Sequence, residues 1–394
     1  MTDIEIYSLQ WCPYCIKAKA LLKAKDIPYR ETDVTTDREL ALEMIERTGR
    51  NSVPQIFMDG ELVGGYDDLA HLNSSGELDR RFGREPAELK PVYDVAVIGG
   101  GPAGLSAAMY TSRKNLSTIL IAADVGGTVG VTRDIENYPG YEYITGPDLA
   151  EQMIAQVNRY PMEKLIGEWV VGLRLDGRCK VIELESGRRV CASTVIIASG
   201  VQKRHLMIPG EAELEGVGVV YCSTCDGPFY AGKTIAVVGG GNSAFEAALE
   251  MDGIAKKVYL VTRGEPTADE ILRDKVVTAE RVEHLKDYVP VEIHGVDEVE
   301  AFTIRRRDTG MLRRLSVDGV FVEAGVLPNT GFALDLVETN EDGEIEVDAR
   351  GRTGVRGVFA AGDCTDVPDK QIIVSAGDGA KAALAAFEYL VTQR

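Results

Sequence analysis

Histidine, tryptophan and cysteine are scarce in this chain: 4, 2 and 7 residues among 394. His71, His205, His284 and His294 are the only histidines, and none is spaced as a ligand pair, which argues against a histidine-built metal centre. Seven cysteines are too few for a disulfide scaffold. Long apolar runs are missing as well; the most apolar stretches, 195–198 and 235–238, stop far short of the ~20 residues a membrane span needs. Basic side chains are in deficit, 43 against 62 acidic ones, and the formal charge of −19 excludes a broad nucleic-acid or anionic-membrane surface. Residues 1–8 have neither the basic start nor the apolar middle of a secretory signal, so a cytoplasmic location is expected.

Glycine is abundant, with 42 residues gathered after position 95 in tight runs that follow short apolar segments, and this punctuation predicts an α/β protein. Residues 1–83 read as a separate βαβαββα unit whose last two strands meet at Asp59 and Gly60, a two-residue hairpin signal. Residues 84–91 are charged, hold two prolines and read as a linker. Beyond it, 93–106 and 234–247 repeat one design of β-branched strand, glycine turn and alanine-rich helix start, as an internal duplication would. Residues 178–184 and 189–198 read as strands about a Ser186-Gly187 turn, 256–323 as a second excursion, and about 377–391 as a terminal helix that leaves no room for a further dimerisation domain.

Gly99, Gly101 and Gly104 follow a strand and open a helix, the context in which backbone amides approach a pyrophosphate at a positive helix end. One such turn is weak evidence. The second, Gly239, Gly241 and Ala244, implies two bound dinucleotides, most economically one flavin and one nicotinamide, and therefore an internal hydride relay. Cys222 and Cys225 precede the second turn, and Asp226 beside them is placed to manage the leaving thiol, its alternative reading being a helix cap or turn residue. A zinc reading of this pair lacks two further ligands, and no metal is expected. Cys12 and Cys15 flank Pro13 and Tyr14 between a strand and a helix; a Cys12 thiolate at the helix N-terminus would attack, with Cys15 resolving. Pro54, after Ser52 and Val53, is a candidate cis proline or else a strand-edge proline. Cys179, Cys191 and Cys364 have no partner at this spacing and read as small buried hydrophobes. Arg305, Arg306 and Arg307 read as a solvated strand end rather than a docking patch.

Residues 1–83 resemble bacterial glutaredoxins through Cys12-Pro13-Tyr14-Cys15, Ser52 to Phe57, and Gly64-Gly65-Tyr66-Asp67-Asp68. The resemblance implies a thioredoxin fold that holds glutathione at Tyr14, Val53, Pro54, Gly65, Asp67 and Asp68. The stretch Ser8-Leu9-Gln10-Trp11 lacks the lysine that many members carry there.

Residues 92–394 resemble low-molecular-weight thioredoxin reductases and the flavoprotein component of alkyl hydroperoxide reductase. The shared motifs are 99–104, 136–140, Cys222 to Asp226, 239–244, and 358–363 followed by Lys370-Gln371. The implied architecture is a thioredoxin fold followed by two Rossmann-like domains, the second inserted into the first: 92–208 and 325–394 for FAD, 209–324 for the nicotinamide nucleotide. The same resemblance places Asn137, Asp363, Gln371 and Ile372 at FAD. It makes Cys225 the sulfur nearest the flavin and Cys222 the one that attacks an acceptor disulfide, in a homodimer whose nicotinamide domain swivels. Two departures stand out. Thr128 follows Gly126-Gly127 where the family has glutamine, and the arginine-rich NADPH signature is reduced to Thr262-Arg263-Gly264, with Ala268 at its end. Arg263 alone remains for a 2′-phosphate, while no acidic residue signals NADH, so the donor is NADPH or NADH.

The expected activity is a flavin-dependent disulfide reductase that passes electrons through Cys222/Cys225 and Cys12/Cys15 to glutathione disulfide, glutathione mixed disulfides, a ribonucleotide reductase or a peroxiredoxin. The alternatives are a dedicated peroxiredoxin reductase and, in another class, a redox-sensing nucleotide-binding module.

Overall fold

The computed structural model describes residues 3–9, 12–35, 37–84, 89–132 and 134–393. Positions 85–88 of the expected linker, and Gln10 and Trp11 before the first cysteine pair, lie outside these. The chain divides into two compact units, Met1–Val201 with Pro328–Arg394, and Gln202–Leu327.

In the first unit, the strand Ile4–Ser8 alternates toward a core of Ile4, Ile6, Leu21, Leu22, Ile56 and Leu69. It pairs parallel with Arg30–Asp33 and antiparallel with Gln55–Met58, which turns back into Glu61–Gly64, so this sheet runs in the order second, first, third, fourth. The reversal at Asp59 (φ 52°) and Gly60 (φ 81°) uses the two positive φ values that a tight hairpin demands. Helix Arg38–Thr48 starts where Asp37 accepts the Glu39 and Leu40 amides and stops at left-handed Gly49.

The same unit holds a larger sheet in which Tyr93–Ile98 lies between Thr118–Ala122 and Arg189–Ile197, all parallel. The returning chain adds Val358–Ala360 parallel alongside Arg189–Ile197. The glutaredoxin-like part packs on it through one shared apolar cluster that includes Leu69, Leu78, Leu105 and Ile166. Polar contacts fix the seam: Lys17 pairs with Asp124 at 3.0 Å, Tyr66 Oη donates to Ala123 O at 3.2 Å, and Asn73 Nδ2 donates to Ile166 O.

The second unit is built on a parallel sheet ordered Val219–Val220, Gly319–Val322, Thr234–Val238, Lys257–Thr262, Val282–Lys286. An antiparallel excursion, Tyr288–Gly295, Val299–Arg306 and Leu312–Ser316, precedes the strand Gly319–Val322. No described helix is long and apolar enough to cross a membrane.

Two expectations are corrected. The terminal helix runs Ile372–Gln393 and passes straight through Gly377 and Gly379. It therefore starts about five residues before the expected position, and a Cβ on Gly379 would lie 2.0 Å from Ala103 O, so this glycine lets the helix seat on Pro102–Arg113. Cys179 and Cys191 are not isolated buried hydrophobes but a disulfide, both half-buried, with Cα atoms 5.7 Å apart. The Ser186-Gly187 turn folds Cys179–Leu184 antiparallel onto Arg189–Ile197, so a separation of 12 in sequence becomes a near neighbour across the hairpin. Cys364 is fully buried as read.

Candidate functional site

The first dithiol sits where a strand feeds a helix. Cys12 is the N-cap of helix Pro13–Ala24, so its sulfur accepts the Cys15 amide at 3.4 Å and its thiol reaches Val53 O at 3.6 Å. The Cys15 thiol hydrogen bond, the Cys15 and Tyr14 amides and the Lys19 charge together outweigh burial and hold the Cys12 thiol down at about 6. Cys15 is fully buried and pushed well above the ordinary thiol range, first by donating to the Cys12 thiolate and then by burial. One sulfur is thus ionised and half-exposed, the other protonated behind it, the arrangement of an attacking and a resolving thiol. The Val53–Pro54 peptide is cis, as its place beside the dithiol suggests. Of the expected glutathione contacts, Tyr14 is exposed and lies 6.4 Å from the Tyr66 ring, Gly65 N–H donates to Asp68 Oδ2 at 2.9 Å, and the Asp67 side chain is exposed; Val53 is half-buried and Pro54 buried.

The first glycine turn joins Tyr93–Ile98 to Pro102–Arg113, with Gly101 as N-cap. Gly99 has φ 118°, and a Cβ on it would stand 2.0 Å from Ala198 O; one on Gly104 would stand 1.9 Å from Gly99 O. Strand, turn and helix therefore close together only with glycine there. Gly101 by contrast faces open space, its nearest neighbour being Gly127 Cα at 4.0 Å from a hypothetical Cβ. Asp363 follows Val358–Ala360, is held up by burial, and accepts Ser375 Oγ at 2.7 Å. Asn137 Nδ2 donates to Gln371 Oε1 at 3.2 Å, next to Ile372 at the start of the terminal helix. A backbone cradle at a helix N-terminus, with the half-buried Asp363 carboxylate beside it, suits a dinucleotide, and Gly99 to Gly101 with Asp363 are the residues that would hold FAD.

The second turn follows Thr234–Val238 and opens Asn242–Asp252 at Gly241, with Ala244 buried beneath it. Here a Cβ on Gly239 would meet Glu323 O at 2.2 Å, which pins Gly319–Val322 against the turn. In the same unit Cys222 and Cys225 form a disulfide, and Cys222 caps the short helix Ser223–Asp226. Two residues that the sequence reading missed surround this pair. Glu323 Oε1 accepts the Ser223 amide at 3.3 Å and Glu250 Oε2 accepts Ser223 Oγ at 2.8 Å. Burial, with Glu250 and Asp226 nearby, pushes Glu323 up to about 7 despite the Ser223 amide. The signal was present: an acidic residue directly after a buried strand, at the strand end where α/β sheets bind ligands. Among the described residues no cluster of histidine, cysteine, aspartate or glutamate could hold a metal ion.

Comparison with known proteins bears on this geometry. The family described as "Pyridine nucleotide-disulphide oxidoreductase" matches residues 93–383. The chain belongs to this family. The glutaredoxin family matches residues 4–63 of this pyridine nucleotide-disulphide oxidoreductase. The alkyl hydroperoxide reductase F subunit of Staphylococcus aureus strain MSSA476 is 37% identical over 390 residues, which is 97% of this chain and 75% of the relative. The F subunit of the Pseudomonas putida alkyl hydroperoxide reductase is 37% identical over 396 residues, 98% of this chain and 75% of the relative. Among solved structures, thioredoxin reductase from Streptococcus pyogenes superposes with a TM-score of 0.72 at 38% identity, over 76% of this chain and 99% of the other. That from Giardia duodenalis gives 0.74 at 35%, over 77% and 100%. The oxidoreductase is therefore a flavin disulfide oxidoreductase of the alkyl hydroperoxide reductase and thioredoxin reductase type, carrying a glutaredoxin domain.

Proposed function

We propose that the enzyme carries electrons from NADPH or NADH, by way of FAD, to Cys222/Cys225, then to Cys12/Cys15, and on to an external disulfide. Bound FAD would take a hydride equivalent from the nicotinamide and hand on an electron pair. The chain's own residues do the rest. Cys225 receives the pair and Cys222, as thiolate, attacks the Cys12–Cys15 disulfide. A mixed disulfide forms and is resolved by Cys225, which leaves the second pair oxidised and the first reduced. Asp226 and Glu323 are the groups beside Cys222 and Cys225 that can take up and return the thiol proton. Cys12 then attacks the acceptor, and Cys15 releases the product thiol.

The observation that carries this reading is that the chain holds two exchange-competent pairs: Cys222 and Cys225 are close enough to bridge, and Cys12, half-exposed with its thiol held at about 6, lies in front of a fully buried Cys15. A second exchange pair serves a relay, whereas a sensor needs only one. The exposed Tyr14 two residues after Cys12 and the exposed Asp67 at the start of helix Tyr66–Ser74 favour a glutathione-type acceptor, glutathione disulfide or a glutathione mixed disulfide. The alkyl hydroperoxide reductase relatives favour a peroxiredoxin as the second reading, and a ribonucleotide reductase offers the same chemistry. We place the reaction in the cytoplasm, in a homodimer, with the domains at 1–83, 92–208 with 325–394, and 209–324. The test is steady-state turnover with each acceptor class. Oxidation of the nicotinamide nucleotide with glutathione disulfide, abolished by Cys12→Ser, supports the glutaredoxin route; turnover only with a peroxiredoxin and peroxide assigns the second reading.

A further inference from the structure

The three arginines that read from sequence as a solvated strand end face a cavity. Arg305, Arg306 and Arg307 close the strand Val299–Arg306, and with Arg263, Val289 and Pro290 they line a space of about 700 Å³. Arg263 directly follows Lys257–Thr262, the strand that pairs with Thr234–Val238 and comes next after the Gly239 turn and its helix. That strand end, about 20 residues beyond a glycine turn, is where this class of fold reads the ribose 2′ position. Arg307, from the separate antiparallel excursion, reaches back and donates Nη1 to Arg263 O at 2.9 Å. Gly264 lies directly beside it, since a Cβ there would be in ordinary contact with Arg307 Nη1 at 3.6 Å.

Two acidic neighbours are already occupied, and among the described residues Asp287 meets Arg307 only through its backbone, its O accepting the Arg307 amide at 2.8 Å. Arg306 is tied to Asp308 at 2.9 Å, and Glu265 is paired with Lys286. Among the described residues Arg263, Arg305 and Arg307 have no carboxylate partner, although the chain carries a net charge of −19. Ala268, where sequence logic would seek the last arginine, is buried and points to the core, so any further cation must come from elsewhere in the fold.

We propose that this cavity takes the 2′-phosphate of a phosphorylated nicotinamide dinucleotide, with Arg307 and Arg305, supplied by the antiparallel excursion, determining specificity together with Arg263. The proposal rests on the dinucleotide reading of the Gly239 turn and selects NADPH as donor. Guanidinium donors in a fixed fork suit a phosphate dianion, and removal of one such charge-assisted contact weakens binding by about tenfold or more.

The experiment is calorimetric titration of the oxidised, FAD-loaded full chain with 2′,5′-ADP, 5′-AMP and inorganic phosphate, repeated with Arg307→Gln and Arg305→Gln. The expected result is 2′,5′-ADP binding at least about tenfold more tightly than 5′-AMP, with the preference cut by about tenfold in each variant. Arg305 lies in the strand Val299–Arg306 while Arg307 holds Arg263 O, so the Arg305 variant separates ligand recognition from the integrity of the Arg263–Arg307 contact. Equal affinity for the two nucleotides, or a preference that survives both substitutions, overturns the proposal. So does inorganic phosphate that binds without displacing 2′,5′-ADP, which marks a separate anion site. Failure of both nucleotides to bind removes the dinucleotide reading beneath it.

Discussion

Replacing Cys15 should move the ionisation of Cys12, and the structure says by which route. With the Cys12 thiol held at about 6, ~90% of it is thiolate at pH 7, against ~3% for an ordinary thiol near 8.5. The largest stabilising contact is the Cys15 side chain, which donates to the Cys12 sulfur; the Cys15 and Tyr14 amides and Lys19 add less. Cys15→Ala removes the donor and leaves the amides. Its alkylation midpoint should climb above 7, and the thiolate fraction at neutral pH should drop from most of the population to a minority. Cys15→Ser keeps a hydroxyl donor and should stay between the two. The assay is iodoacetamide labelling of the reduced protein from pH 4 to 10, with the modified peptide identified by mass. A wild-type midpoint at or above 8, or one that does not move in Cys15→Ala, refutes the assignment of Cys15 as the main cause. Because the folded value is depressed, the Cys12 thiolate stabilises the reduced domain above the unfolded thiol's titration, and that stabilisation is lost as pH falls from about 8.5 to about 6. Melting temperatures of the reduced form should follow that window, and those of Cys12→Ser should not.

Glu323 titrates in the opposite sense, since burial raises it to about 7. Stability contributed by the protonated form is present below the unfolded carboxyl's titration and lost as pH rises through about 7, so Glu323→Gln should gain on wild type as pH rises from 5 to 8 in denaturant melts. The same variant should lose an inflection near 7 from the pH profile of exchange between the two cysteine pairs, read by rapid acid quench and thiol mapping. Gly379→Ala drives a methyl against Ala103 O and should destabilise the first unit by about 1–3 kcal/mol, with FAD released on mild heating, followed by flavin fluorescence. Double replacement of Cys179 and Cys191 by serine opens a loop of 12 residues and should cost about 2–3 kcal/mol in thermal unfolding while turnover persists; lost turnover would show that this bridge belongs to the relay.

Local chemistry was legible before any coordinates. Cys12 before Pro13 announces a helix start, Asp59-Gly60 a hairpin, and the paired glycine turns two strand-turn-helix units, because each is a constraint satisfied within a few residues. Contacts made by folding were not. Cys179 and Cys191 meet only because a hairpin closes between them, and Arg307 meets Arg263 only because an antiparallel excursion returns to the sheet edge. Glu323 looked like one acidic residue among 62 acidic ones until its backbone was seen against Gly239 and its carboxylate against Ser223. The first turn of the terminal helix, from Ile372, was not legible either: Gly379 reads as an ordinary small residue in sequence, and only in the fold is it a place where two helices touch.

The relay is tested most directly by counting electrons. The fully oxidised, FAD-loaded chain is titrated anaerobically with NADPH, and separately with NADH, while the flavin absorbance is followed and exposed thiols are mapped at each step. The account predicts that at least one nucleotide bleaches the flavin and that the wild type takes up about three equivalents per chain, one electron pair each for the flavin, Cys222/Cys225 and Cys12/Cys15. Cys12→Ser should take up about two. A flavin that neither nucleotide bleaches, or a Cys12→Ser chain that consumes as much as the wild type, would contradict it.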